Sequence, residues 1–330
     1  MAAIRVLSLT GDTVETHTVA EVGALLERPG ALVWVDIPEC TEEAISLLTE
    51  VLGCHPLAVR DCMQRNRVPR VRIYPHQQLL ILHGPERGPS GHVHYLELDQ
   101  IIGEKYVVTV HGPINPALSV EVALRETEGV RRRLESGRLR PDSPYELSYA
   151  ITSALIHRLE VFIEEVTTDV WHLEQRVTGG HMGNPEEFLE ELFRARHGLL
   201  AVRTMGALGA EVYGRIAALG TRVPADDLPL VNDLVDQLGQ IRGLADGERE
   251  YLQGVIEFYR ARAETKMTVA AERLAVIAVV TLPITALSSV YGMNIIVNGR
   301  TQIPQLLAVL CVMAVMSALL LTWAKRRGWW

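Results

Sequence analysis

The start of the chain has no apolar stretch long enough for a signal peptide: it reads MAAIRVLSLTGDTVETHTVAEV. We therefore expect the first 260 or so residues to remain in the cytoplasm. The sequence also lacks a phosphate-cradling Gly-Lys-Thr motif, so we expect no ATP site. No organic cofactor and no enzymatic activity are predicted.

Cysteine is scarce, and its spacing excludes the common zinc motifs. The four cysteines are Cys40, Cys54, Cys62 and Cys311, which a reducing cytoplasm would keep as ordinary thiols. The formal net charge is −8, although residues 300–330 carry four basic residues and no acidic one. The acidic remainder argues against a nucleic-acid partner and suits a protein that handles cations.

Charge is missing altogether from two stretches near the end of the chain. One runs for 26 residues from Leu274 to Gly299, and the other for 24 residues from Thr301 to Ala324. About 20 helical residues cross a bilayer core, so both are predicted to span a membrane. The alternative, two buried helices of a soluble core, is disfavoured because such helices seldom go so long without a charge.

Basic residues cluster before the first stretch and after the second, and only Arg300 lies between them. The positive-inside rule therefore predicts a plasma-membrane hairpin with both termini in the cytoplasm. The flanking residues are Arg260, Arg262, Lys266 and Arg273 before the first span, and Lys325, Arg326 and Arg327 after the second.

Short β-type runs fill the first third of the chain and predict an α/β domain over residues 1–135. The runs are 31–37, 76–84, 92–103 and 105–112, rich in Val, Ile and Leu and bounded by turn residues. Residues 41–53 read as a helix capped by Thr41.

From Ser143 onward the pattern is helical. A serine cap and Pro144 begin a helix over 143–177, and a second helix is expected over 185–216. A third begins near Leu228 and has no convincing stop signal before the membrane. The fold class is thus a cytosolic α/β domain, a long helical stalk and a two-helix transmembrane hairpin.

Polar residues in the first span follow one helical face. Two helices cannot enclose an aqueous path, so the hairpin is either an anchor or one of several copies around an axis. In the alternative reading, Ser288, Ser289 and Thr285 bond back to carbonyls or mediate helix packing. The candidate pore-lining residues are Thr268, Ala271, Leu274, Ala278, Leu282, Thr285 and Ser289.

Three segments resemble the CorA family of magnesium channels, and the resemblance covers nearly the whole chain. LPITALSSVYGMN (282–294) is similar to the family's first span with its Gly-Met-Asn signature. LGCHPLAVRDCMQRNRVPRVRIY (52–74) resembles its His-Pro-Leu segment, and AKRRGWW resembles its basic-aromatic tail.

The resemblance implies a funnel-shaped homopentamer in the lipid bilayer that conducts divalent cations. Asn294 would form the selectivity ring for hydrated Mg²⁺, while Tyr291 and Met293 orient it and Gly292 lets the backbone bend. Leu274 and Leu282 are candidates for a hydrophobic gate, with ordinary helix packing as the alternative. The predicted limits are 1–135 for the α/β domain, 136–270 for the stalk region, 271–297 and 303–324 for the spans, 298–302 for the external loop and 325–330 for the cytosolic tail.

The same resemblance implies regulation by intracellular Mg²⁺. An aspartate of the His-Pro-Leu segment and one on the stalk helix would bind Mg²⁺ between subunits and favour the closed state. The matching residues are Asp61 and Asp233, with Asp236 one turn on. A solvated acidic face is the alternative for Asp233 and Asp236.

Two departures from the family pattern leave other functions open. The loop 295–303 has no acidic residue and contains Arg300, and Arg60 stands beside Asp61 where an acidic residue is common. A zinc transporter of the related ZntB branch is the first alternative. The second is a membrane-anchored sensor that transports nothing.

Overall fold

The computed structural model describes residues 3–11, 13–113, 115–180, 184–219, 223–292 and 303–326. The chain divides into two compact units, Met1–Val255 and Ile256–Trp330. The first contains a seven-stranded sheet and most of the helices. The second contains the end of one long helix and the last helix of the described chain.

The sheet has the strand order β2-β1-β3-β7-β6-β5-β4. Only β3 and β7 pair in parallel, and every other neighbouring pair is antiparallel. The strands are β1 Arg5–Thr10, β2 Thr13–His17, β3 Leu32–Ile37, β4 Arg70–Ile73, β5 Gln77–Arg87, β6 Val93–Gly103 and β7 Tyr106–Val110.

The four strands predicted from the sequence correspond to β3, β5, β6 and β7. The prediction missed β1, β2 and β4, which lie at or near the two edges of the sheet. The sequence of β4 is RVRI and that of β2 is TVETH, so both strands carry the polar side chains that are typical of loops. Strands near an edge tolerate such residues because much of their surface faces water.

Five shorter helices lie in the described part of the chain, three of them between strands and two after β7. Thr41 caps the second of these by accepting a hydrogen bond from the backbone N–H of Ala44, as predicted, and that helix continues into a π-helical turn at Leu47–Val51. The helices are α1 Val22–Glu27, α2 Glu42–Ser46, α3 Pro56–Met63, α4 Val120–Ala123 and α5 Arg125–Glu135.

Four longer helices follow: α6 Pro144–Gly179, α7 Pro185–Ala218, α8 Leu228–Gly292 and α9 Ile303–Arg326. The predicted start of α6 is confirmed, because the Ser143 hydroxyl accepts from the Glu146 N–H at 3.0 Å and Pro144 is the first helical residue. The expectation that the third long helix has no stop is also confirmed, since α8 is one helix of 65 residues. Pro283 lies inside α8.

The two faces of the sheet pack against different helices. On one face, strand residues such as Val35 and Ile81 form an apolar core with α1, α2 and α3. On the other face, β5 and β6 contact α6. There Gln100 donates to the Thr152 hydroxyl at 2.9 Å, and Thr152 also contacts the Tyr213 hydroxyl of α7 at 2.6 Å.

Candidate functional site

The candidate pore-lining residues all lie on α8 and all are exposed in the isolated chain. Leu274 and Leu282 are 68% and 67% exposed. Such exposure is unusual for large apolar side chains in water, and it suits contact with lipid or with further copies of the chain. The other exposed members of this face are Thr268, Ala271, Ala278, Thr285 and Ser289.

A second stripe of α8 is shielded instead. Val276 is only 7% exposed. Further half-buried residues recur at helical spacing and give α8 a shielded side distinct from the candidate lining face. They are Val279, Val280, Pro283, Ile284 and Leu287.

Two hydroxyls of the candidate face bond within the helix. Thr285 donates to the Thr281 carbonyl at 2.8 Å, and Thr268 donates to the Glu264 carbonyl at 3.0 Å. The back-bonding alternative is therefore observed for Thr285. Each hydroxyl oxygen retains lone-pair capacity, so these residues can still accept a hydrogen bond from water.

The end of α8 brings the chain to the Gly-Met-Asn segment. Helix α8 extends through Tyr291 to Gly292. Met293 and Asn294 lie outside the described residues, as does the loop up to residue 302. The selectivity ring stays a prediction.

Helices α8 and α9 each contain a window apolar enough to cross a membrane. The mean hydropathy of the most apolar 18 residues is 1.9 in the first and 2.5 in the second. Only 6% and 0% of these windows are buried in the chain. Helices of a soluble core would be mostly buried, so this exposure disfavours the soluble-core alternative.

The candidate regulatory residue Asp61 has internal partners. It lies in α3, whose start is fixed by Pro56 and by His55, whose Nδ1 accepts from the Leu57 N–H at 3.1 Å. Arg72 of β4 donates from Nε to Asp61 Oδ2 at 2.5 Å, and Arg60 Nη2 is 3.7 Å from Asp61 Oδ1. Only 5% of the Asp61 side chain is exposed.

The candidate acids on α8 remain at the surface. Asp233 accepts from the Tyr149 hydroxyl at 2.7 Å and from Gln237 Nε2 at 2.5 Å, and Asp236 is exposed. Among the described residues, no group of three His, Cys, Asp or Glu side chains is placed to hold a metal ion. The described residues of a single copy therefore offer no ready-made cluster of such ligands for Mg²⁺.

Two buried charged clusters in the sheet escaped the sequence analysis. In the first, Asp36 of β3 lies 3.0 Å from His111 Nε2 and accepts from the Thr109 hydroxyl at 2.6 Å. Burial works to raise the pKa of Asp36, but the charge of His111 and these hydrogen bonds hold it below its ordinary value.

The second cluster surrounds Glu97 and Asp99 of β6. Two acids at alternate positions of an apolar strand were the signal that could have revealed it.

The comparisons with known proteins decide the family. A family described as CorA-like Mg²⁺ transporter protein matches residues 29–326. The chain belongs to this family. The CorA family comprises ion transporters rather than enzymes, and the predicted CorA resemblance is confirmed.

Two relatives align over most of the chain. The protein named metal ion transporter YfjQ of Bacillus subtilis is 26% identical over 322 residues, which cover 92% of each chain. The cobalt/magnesium transport protein CorA of Thermotoga maritima is 22% identical over 308 residues, covering 90% of this chain and 83% of the relative.

Solved structures of the family share the fold. The CorA magnesium transporter from Methanocaldococcus jannaschii matches with a TM-score of 0.79 at 16% identity and covers 100% of both chains. The ZntB cytoplasmic domain from Vibrio parahaemolyticus matches with a TM-score of 0.62 at 10% identity, covering 80% of this chain and 100% of that one. These matches confirm the fold class of an α/β domain followed by a long helix and a C-terminal apolar helix.

Proposed function

We propose that this CorA-family chain is a homopentameric channel for potential-driven influx of hydrated Mg²⁺, with Co²⁺ and Ni²⁺ as further candidate ions. The observation that carries the proposal is the exposed, uncharged face of α8 that leads to the Tyr-Gly-Met-Asn segment. Five copies of this face around an axis would line a path that a single hairpin cannot enclose.

Selectivity in this proposal rests on the amide of Asn294. Mg²⁺ gives up its water shell reluctantly, so a ring of neutral amide oxygens can contact the hydrated ion without the cost of dehydration. A ring of carboxylates would bind the ion more tightly and slow its exit. Tyr291, Gly292 and Met293 serve to position the amide.

The membrane potential supplies the driving force. Moving one charge through 100 mV changes its free energy by about 2.3 kcal/mol, so a divalent ion entering a negative interior gains about 4.6 kcal/mol. Influx then needs no ATP. The proposal places the protein in the plasma membrane with both termini in the cytoplasm, and it retains the domain limits predicted from the sequence.

Leu274 and Leu282 form the proposed gate. Both are strongly exposed on the candidate lining face of α8. A ring of leucines narrows a pore and excludes water, which closes the path to ions. The gate opens when the leucine rings move apart far enough for water to re-enter the pore.

Regulation by Mg²⁺ at Asp61, Asp233 and Asp236 stays a prediction. Asp61 is buried against Arg72, and Asp233 is held by Tyr149 and Gln237. The described residues of one copy bring no three metal-binding side chains together, so in this proposal acids from a second copy complete the site.

Zinc transport is the second candidate function. It is supported by the fold match to a ZntB cytoplasmic domain. The acid-free loop with Arg300 would repel cations at the pore mouth, which argues against rapid cation capture and a strict preference for Mg²⁺. The intact Gly-Met-Asn segment favours magnesium. A non-transporting anchored sensor is the third candidate.

Uptake into proteoliposomes separates these candidates. The purified chain is reconstituted with an inside-negative potential, and Mg²⁺ entry is measured with and without external Zn²⁺. The proposal predicts potential-dependent Mg²⁺ entry. Entry of Zn²⁺ without Mg²⁺ would support the zinc candidate, and no entry of either ion would support the anchored sensor.

A further inference from the structure

Strand β6 carries two buried acids on the same face. Glu97 and Asp99 are 7% and 0% exposed, and they are two residues apart, so their side chains point the same way. The in-register neighbours of Asp99 are Ile81 of β5 and Val110 of β7, both part of the apolar core. Asp99 therefore lies in one of the least polar parts of the sheet.

Neither carboxyl oxygen of Asp99 has a nitrogen or hydroxyl donor among the described residues. Its polar neighbours are the Glu97 carboxyl and the Cys62 thiol. Two carboxyl groups can bond to each other only when one of them holds a proton, because two carboxylates offer acceptors alone. An ionised carboxylate that is buried without a donor is strongly disfavoured, and two adjacent carboxylates repel each other, so this arrangement favours a proton on the pair of Glu97 and Asp99.

Asn66 determines which acid holds that proton. Its backbone N–H donates to Glu97 Oε2 at 2.8 Å, and its Nδ2 donates to Glu97 Oε1 at 2.6 Å. Both oxygens of Glu97 therefore accept hydrogen bonds, as an ionised carboxylate does. Asp99 is left as the acid.

We propose that Asp99 is a proton-binding site, which is protonated at neutral pH and donates its proton to the Glu97 carboxylate. Burial acts in the same direction, because it raises the pKa of Asp99 well above its ordinary value, and the neighbouring Glu97 raises it further. On release the proton passes to solvent and leaves two adjacent buried carboxylates.

The proton is linked to the segment that follows α3. Besides Glu97, Asn66 Nδ2 donates to the Asp61 carbonyl at 2.8 Å and the Gln64 carbonyl at 3.0 Å. The Asn66 carbonyl accepts from His83 Nε2 at 2.8 Å, which sets the tautomer of this imidazole. Loss of the proton would weaken the packing of residues 64–69 against the sheet.

The other titratable and charged groups around this site come from several elements. Burial raises the pKa of Cys62 and lowers that of His83, which keeps both neutral near pH 7. The remaining groups that face the pair are Cys40, Asp61, Arg65 and Arg70, with Arg72 on Asp61. None of these arginines donates a hydrogen bond to Asp99.

Infrared spectroscopy of the full chain in detergent tests the proposal. A protonated buried carboxylic acid gives a carbonyl stretching band separate from that of carboxylates. We expect Asp99→Asn to lose one such band at pH 7, while Glu104→Gln, whose side chain in wild type is 79% exposed, loses none. An unchanged acid band in folded Asp99→Asn would overturn the proposal. If that variant fails to fold, Glu97→Gln must shift the band by changing its hydrogen-bond acceptor, and an unshifted band would overturn the proposal equally.

The pH dependence of unfolding gives a second readout. A carboxyl whose pKa is higher in the folded than in the unfolded chain stabilises the fold at low pH, and this stability is lost as the pH rises above the ordinary value of 3.8 through the folded pKa. The melting temperature of wild type should thus fall more steeply toward alkaline pH than that of Asp99→Asn. Equal slopes would contradict the proposal.

Discussion

Arg72 of β4 forms an ion pair with the Asp61 carboxylate of α3 within one copy of the chain. Its Nε donates to Asp61 Oδ2 at 2.5 Å, and only 5% of the Asp61 side chain remains exposed. A guanidinium in this position neutralises the charge that a regulatory cation would otherwise contact. A Mg²⁺ ion that binds Asp61 Oδ2 must compete with Arg72 for this oxygen.

The first prediction concerns this ion pair. We expect Mg²⁺ to raise the melting temperature of Arg72→Gln by more than it raises that of wild type, because the variant frees the Asp61 carboxylate for a cation. Differential scanning fluorimetry over a Mg²⁺ series measures the shift. Arg67→Gln, at an exposed loop arginine, is the matched control and should behave as wild type. An equal Mg²⁺ response in all three proteins would show that Arg72 does not compete with the ion.

The second prediction concerns the buried pair of Asp36 and His111. Their side chains are 6% and 1% exposed. We expect His111→Ala to destabilise the fold by about 3–5 kcal/mol, because it removes the His111 partner of a buried carboxylate and leaves the Thr109 hydroxyl as its donor. Denaturant unfolding of the first unit measures the loss. The double variant Asp36→Asn/His111→Ala should recover part of it, and a single variant as stable as wild type would contradict the account.

The third prediction concerns the pH response of Glu128. Hydrogen bonds from Arg131 are the main cause that lowers its pKa to about 2, and Arg5 also contributes. Its stabilising effect should be complete above the ordinary pKa of 4.5 and should vanish as the pH falls through about 2. Replacing Glu128 by Gln should lower the free energy of unfolding by less than about 1 kcal/mol at pH 7, because the ion pairs of Glu128 are partly solvated. The difference in free energy of unfolding between Glu128→Gln and wild type should shrink to zero in acid. The exposed control Glu164→Gln should show no such change with pH. A difference in free energy of unfolding that does not change with pH would contradict the lowered pKa of Glu128.

The fourth prediction tests the gate. Replacing Leu282 by Asn would hydrate the proposed constriction, so we expect faster Mg²⁺ entry into proteoliposomes at high Mg²⁺. Val290→Asn is the control, because Val290 is 56% exposed but lies off the candidate lining face. Equal rates for Leu282→Asn and wild type would place the gate elsewhere.

The sequence predicted the elements whose signals are local. Ser143 and Pro144 identify the start of α6, and the absence of a stop signal after Leu228 correctly predicts that α8 is continuous from Leu228 to Gly292. The edge strand β4 was missed because its two arginines obscure the alternation that identifies a strand. The pairing of Asp61 with Arg72 joins α3 to β4, so it depends on a tertiary contact that no local pattern contains. The same holds for Asp36 and His111, which lie 75 residues apart in sequence.

The central claim is that the amide of Asn294 selects the ion, and Mg²⁺ uptake by wild type, Asn294→Ala and Asn298→Ala tests it most directly. All three are reconstituted in proteoliposomes with an inside-negative potential and assayed at matched protein content. We predict that Asn294→Ala loses Mg²⁺ uptake or its preference for Mg²⁺ over Zn²⁺, while Asn298→Ala, four residues further along the chain, retains both. Uptake and ion preference unchanged in Asn294→Ala would contradict the account.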